Sequence, residues 1–224
     1  TLREPKITFH DLAYGDLHPE IRTSLRVAPS VFGLGLIEAI PEEQIRSWAD
    51  PEDEDGDGIS GRPNWVWSED RGQTILGRFG WKANVGTLRD QTAGAFSGDI
   101  GITSSLHPEE SRTESQTEAA RVPSGGEPEL DDHQLNRITL YLQTLSVPAR
   151  RDIEDPAVRR GERNFYDLGC DSCHRPSFTT GTESTILPLV DQQIRPYSDF
   201  LLHDMGTGLA DGRSDFSASG SEWR

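Results

Sequence analysis

Cysteine is almost missing from this chain, whose 224 residues include only Cys170 and Cys173. With no second pair of thiols, a four-thiolate zinc or iron–sulfur centre cannot be completed within the chain. Long apolar runs are missing too. The longest, VFGLGLIEAI at residues 31–40, falls far short of the roughly 20 residues a membrane helix needs, so no membrane span is expected. Positive charge is scarce: 22 Lys and Arg stand against 38 Asp and Glu, for a formal net charge of −16. Nucleic acid and anionic lipid would repel such a polyanion, and neither is an expected partner. A basic redox donor protein, or a small-molecule reductant, fits better. Apolar residues make up 33% of the chain, lean for an ordinary core. The 22 Gly and 14 Pro predict short helices joined by long irregular loops. No signal peptide is visible, and the first residue is Thr1 rather than Met, as in a mature or trimmed product.

The two cysteines that are present sit in GCDSCH, residues 169–174, two residues apart and followed at once by His174. Three readings compete: a disulfide, a thioredoxin-type redox pair, and the attachment site of haem c. A redox pair opens a helix after a strand in a βαβ unit, and the flanking sequence has no such pattern. Haem attachment explains the spacing physically, because two thiols add across the two vinyl groups of one porphyrin and the adjacent imidazole then faces the iron. This reading makes Cys170 and Cys173 the anchors and His174 the proximal ligand. Covalent attachment takes place outside the cytoplasm, so the expected location is the periplasm or beyond. The residues upstream agree. DPAVRRGERNFYDLGC offers Asp155 as N-cap, Pro156 at the first helical position, and Val158, Gly161 and Phe165 at helical spacing. It resembles the first helix of a cytochrome c domain, in which the glycine permits a close helix crossing and the aromatic ring packs under the haem edge.

Elsewhere, residues 1–30 are polar and without period, a segment expected to wrap a neighbour. A short helix with an acidic first turn is predicted over PEEQIRSWAD. Others are predicted around Leu88, Gln91 and Phe96 between two glycine turns, and over 131–145, where Leu135, Ile138, Leu142 and Leu145 share a face. Residues 103–130 have the polar composition of a long surface loop. SVPARRDIEDP then reads as a hinge. Two domains follow, 1–148 and 149–224, and the fold class expected is mainly α, with cytochrome c-like domains and long irregular loops.

Residues 50–64 form an acidic loop. Asp53, Asp55 and Asp57 occupy the first, third and fifth positions of a calcium loop, with Gly58 at the sixth. The twelfth position is Asn64 rather than a bidentate Glu, and Ile59 arrives one residue early. The match to a true EF-hand breaks at these two positions. A looser calcium-stabilised turn, with a carbonyl from Ile59, stands against a merely solvated acidic loop.

LRVAPSVFGLGLIEAI, DGDGISGRPN, LGRFGWKANVGTLRDQTAGAF, SVPARR, GCDSCH and LLHDMGTGLADG together resemble the di-haem oxidoreductase family, distantly similar to bacterial di-haem cytochrome c peroxidases and MauG-type enzymes. The resemblance covers nearly the whole chain. It implies two cytochrome c-like units, an N-terminal haem that binds peroxide and a C-terminal haem that relays electrons. Only one CxxCH is present, so the chain is read as an internal fragment of a longer di-haem protein or as a single-haem relative. By the same resemblance, Gln91 and Asp99 correspond to the pocket amide and catalytic acid of the peroxidases. Such an assignment makes chemical sense, because cleaving a peroxide needs a base to move its proton and an amide to orient it. A helix-surface amide and a turn acid remain the alternative. Trp65, Trp67, Trp81 and Arg78 could serve electron transfer, although core packing is commoner for these types.

The function expected is a haem c oxidoreductase of peroxidase type. Its rivals are a single-haem electron carrier and a calcium-stabilised binding module. The sixth iron ligand of the haem domain stays open. Met205, the only methionine, lies 31 residues after His174, and a thioether there would raise the potential. His203 would give a lower-potential bis-histidine haem, and a ligand beyond Arg224 is the third possibility.

Overall fold

The computed structural model describes residues 6–224. It contains five α-helices: α1 Leu34–Glu38, α2 Glu42–Arg46, α3 Leu88–Ile100, α4 Asp132–Thr144 and α5 Pro156–Asp167. Three antiparallel two-stranded pairs accompany them. These are β1 Trp65–Ser68 with β2 Gln73–Leu76, β3 Phe178–Thr179 with β4 Gln193–Ile194, and β5 His203–Asp204 with β6 Glu222–Trp223.

The longer helices form where local chemistry dictates. Thr87 caps α3 by accepting from the Asp90 amide, and Gly101 ends it at φ 70°, a left-handed value that glycine takes without penalty. A capping box between Asp131 and Gln134 opens α4. Asp155 caps α5, with Pro156 at its first position. At Gly35 the chain makes a backbone-to-backbone approach, since a Cβ there would lie 2.2 Å from the Gln143 carbonyl oxygen. That residue lets α1 pack on α4.

The fold class expected from sequence does not hold. Only 26% of the described residues are helical and 11% lie in strands or bridges, so this is not a mainly α cytochrome c fold. The reason lies in the core. Ile40, Ile45, Leu76, Phe178, Phe200 and Leu201 form its main cluster, and of these only Ile45 comes from a helix. The rest come from short strands and irregular chain, which has no period to read. Gly161 also departs from expectation: a Cβ there would meet nothing within 4 Å. No residue of α5 is buried among the described residues, so the close helix crossing is not made.

The C-terminal stretch packs against residues 61–82, on the far side of the hinge expected near Pro148. Arg62 grips Glu222 through two 2.6 Å bonds. The Asn64 amide donates to the Lys82 carbonyl at 2.8 Å and to the Asp215 carbonyl at 3.2 Å. Lys82, fully buried, donates from Nζ to Asp211 at 3.0 Å and to the Arg213 and Ser219 carbonyls at 2.7 Å each. Arg26 joins this network through Asp211 at 2.6 Å and Asp215 at 2.9 Å. Residues 6–33 contain no helix or strand, but this ion pairing fixes part of that segment to the body. Residues 1–5 of the predicted wrapping segment lie outside the described residues.

Candidate functional site

Phe165 near the end of α5 and the short 3-10 turn Cys170–Ser172 bring GCDSCH against the segment 196–203. The Asp199 amide donates to the Cys173 carbonyl at 3.1 Å, and His174 Nδ1 lies 3.0 Å from the Tyr197 carbonyl oxygen. A carbonyl can only accept, so Nδ1 carries the proton and Nε2 keeps its lone pair. This is the arrangement in which a metal-binding imidazole is held in one tautomer by its other nitrogen. The Phe165 ring lies 6.5 Å from the imidazole and meets Tyr197 edge-on at 5.5 Å. Cys170 and Cys173 are not bonded to each other. Burial, reinforced by Asp199, pushes the Cys173 thiol up despite the opposing pull of Arg175. Two thiols followed at once by an imidazole whose Nδ1 is engaged form the donor set of a thioether-anchored haem.

Phe165 and Tyr197 also line a cavity of about 940 Å³, near the upper end for small-molecule and cofactor sites, roughly 300–1,000 Å³. Its lining further includes Val31, Phe32, Leu36, Ile37 and Phe200. Gln91 of α3 reaches this cavity, and its side-chain amide makes no hydrogen bond among the described residues. Asp99 does not. It lies eight residues further along α3, about 12 Å along the axis at 1.5 Å per residue, exposed at the helix end. The structure does not bring the expected amide and acid together. The carboxylate on the cavity wall is Glu162, whose bond from Arg150 at 3.1 Å holds it below the usual carboxylate range.

The cavity wall also carries Arg224, a residue that lies in no recognisable motif. Its guanidinium sits over the Phe200 ring at 5.3 Å and donates to the Arg78 carbonyl at 2.5 Å, while Nε is buried without a partner. Burial lowers its pKa to about 10, with Asp199 opposing.

His203 Nε2 donates to Asp199 Oδ2 at 2.8 Å, so His203 reaches the CxxCH segment through Asp199 and has that nitrogen committed. Gly61 gives it room, because a Cβ there would lie 2.9 Å from the imidazole Cε1. Met205 is 49% exposed, its amide bonded to the Ser221 carbonyl, and it is not part of the cavity wall.

In the acidic loop, carboxylate oxygens of Asp50, Asp53 and Asp55 lie within 4.8 Å of one another. Asp57 is not in this group; it accepts from the Ile59 amide at 2.8 Å. Asp53 and Asp55 each accept a backbone amide as well, from Gly58 and Asp57. Asp50, which precedes the calcium-loop window, was missed because the motif was counted from Asp53. Trp65 and Trp67 point outward from β1, 40% and 49% exposed, whereas Arg78 is buried and donates to the Ile37, Glu38 and Ile40 carbonyls. None of the described helices is long and apolar enough to cross a membrane.

Residues 11–224 match a family model described as "Di-haem oxidoreductase, putative peroxidase". Neither the curated proteins nor the solved structures gave a match.

Proposed function

The chain belongs to the di-haem oxidoreductase family, and from that premise we propose a peroxidase-type enzyme that passes electrons from a haem anchored on Cys170 and Cys173 to peroxide reduced in the cavity beside Gln91. The observation that supports this reading is the Gln91 amide, without a hydrogen bond among the described residues, on a large, mostly apolar cavity whose lining includes Phe165 and Tyr197, the two residues that contact His174. A haem anchored on Cys170 and Cys173, with His174 as its protein ligand, would supply a redox-active iron. The chain contains one CxxCH, so these 224 residues offer one covalent attachment site of this type.

The chain's own groups have separable tasks. Tyr197 holds His174 in the tautomer that leaves Nε2 for iron. Gln91 donates a hydrogen bond that orients peroxide, and the apolar wall excludes bulk water and so strengthens that bond. Glu162, ion-paired with Arg150, is the carboxylate on the cavity wall among the described residues. Asp99 has no place in this arrangement. Export to an oxidising compartment and docking of a basic redox donor on the acidic surface belong to the same reading.

Gln91→Leu in the complete haem-loaded protein is expected to lower kcat for peroxide about 100-fold, the scale of losing one preorganised donor, with haem content unchanged. Steady-state turnover with a reduced donor reads the effect. A parent protein that reduces no peroxide, with a Gln91→Leu variant spectrally identical to it, would favour the simple electron carrier.

A further inference from the structure

We propose that the cavity binds an apolar organic molecule with a small hydrogen-bonding head, and that the peroxide reduced there is an organic hydroperoxide rather than hydrogen peroxide. The substrate class rests on the peroxidase reading; the apolar site does not.

Size is the first reason. Hydrogen peroxide is two oxygen atoms, little larger than a water molecule, whose share of liquid volume is about 30 Å³. It would leave nearly all of a cavity of about 940 Å³ unfilled. Sites of this size hold drug-sized organic molecules, with a mostly apolar lining and a few placed polar groups. Phe79 and Phe200 of the lining are buried, while Val31 and Phe32 are 55% and 43% exposed. Covering such apolar surface is favourable, and an apolar body does so. The lining has no His, Cys or Met among the described residues, so it offers none of the nitrogen or sulfur ligands that hold haem iron. Its occupant is therefore a molecule held without a metal of the cavity's own.

The head group follows from the polar side chains. Gln91 reaches this wall with its amide unbonded among the described residues, and an amide offers a donor and an acceptor together. A hydroperoxide head, –O–O–H, offers the same two functions in return. Arg150 is bonded to Glu162 at 3.1 Å, so that pair supplies its own counter-charge and makes no demand for an ionic head. Reduction breaks the O–O bond: two electrons from the reduced donor and two protons from solvent turn the hydroperoxide ROOH into the alcohol ROH and one water.

Cumene hydroperoxide and its reduction product, cumyl alcohol, test this in the complete haem-loaded protein. Calorimetry with cumyl alcohol, which needs no turnover, is expected to show saturable binding. The kcat/KM for cumene hydroperoxide is expected to exceed that for hydrogen peroxide by about 10-fold or more, the scale on which an apolar pocket separates substrates. Leu36→Trp fills part of the space. It is expected to weaken cumyl alcohol binding about 10-fold and to raise KM for cumene hydroperoxide by more than KM for hydrogen peroxide. Val31→Trp, at an exposed position of the lining, carries the same test if Leu36→Trp does not fold. No binding heat from cumyl alcohol, or a heat that both variants leave unchanged, would overturn the site. Turnover of hydrogen peroxide at an equal or higher kcat/KM than cumene hydroperoxide would overturn the hydroperoxide assignment and leave the peroxidase reading standing. Cumyl alcohol binding that either variant weakens, with neither peroxide turned over, would uphold the apolar site and remove the peroxidase reading, the hydroperoxide assignment with it.

Discussion

A Cys170→Ala, Cys173→Ala variant is expected to carry no covalent haem on this chain. Each thioether forms at one of these two sulfurs, and no other thiol exists among the 224 residues to replace them. Haem staining of a denaturing gel, supported by mass analysis of the peptide spanning residues 169–174, reads the result: complete loss in the double variant and one remaining thioether in either single variant. His174→Gly is expected to separate attachment from ligation, keeping the covalent bond while changing the iron's spectrum, because Nε2 is the atom left free by the Tyr197 carbonyl. A disulfide makes the contrary forecast. Its parent peptide would bear no haem adduct and would shift by two hydrogens on reduction, and that result in the complete protein would remove the haem assignment.

What could be read in the sequence was local. CxxCH is a contiguous spacing, and the caps of α3, α4 and α5 are set by residues within one turn: Thr87 with Asp90, Asp131 with Gln134, Asp155 with Ala157. Those helices were accordingly expected where they occur. The core was not legible, because Phe178, Phe200 and Leu201 sit in two-residue strands or irregular chain, where neither the helical nor the strand period has room to repeat. The β1–β2 pair alternates as a strand should, with Val66 and Ser68 buried, yet Trp65 and Trp67 occupy its exposed face, and large aromatics outside mask the pattern. The candidate site divides the same way. Gln91 reaches the cavity, whereas Asp99, matched by similarity of pattern, fails on helix arithmetic. Arg224 had no sequence signal at all, since its significance comes from Phe200, Arg78 and a cavity wall built from distant segments. Tyr197 acts through a backbone carbonyl, which residue identity does not reveal.

Asp211→Asn is expected to destabilise the protein by ~3–5 kcal/mol, the scale of removing one partner from a buried ion pair. The lower end is the better expectation, because the Arg213 and Ser219 carbonyls still accept from Lys82 Nζ. At about 2–4 °C per kcal/mol for a chain of this size, a loss near 3 kcal/mol lowers Tm by roughly 6–12 °C. The effect must depend on pH, and the sign follows from the carboxyl itself. Burial pushes the Asp211 carboxyl up, but bonds from Ser24, Arg26 and Lys82 outweigh it and hold it well below the ordinary range. A carboxylate whose folded pKa is depressed contributes stability that is present above its unfolded value, about 3.9, and is lost as pH falls toward the folded one. Thermal melts of the parent and Asp211→Asn between pH 7 and pH 3 should therefore differ most near neutrality, and the gap should begin to narrow below about pH 4. A gap that stayed constant down to pH 3 would assign the loss to shape or to the Ser24 contact. The charge interaction that ties residues 24–26 and Lys82 to the C-terminal stretch would then contribute little.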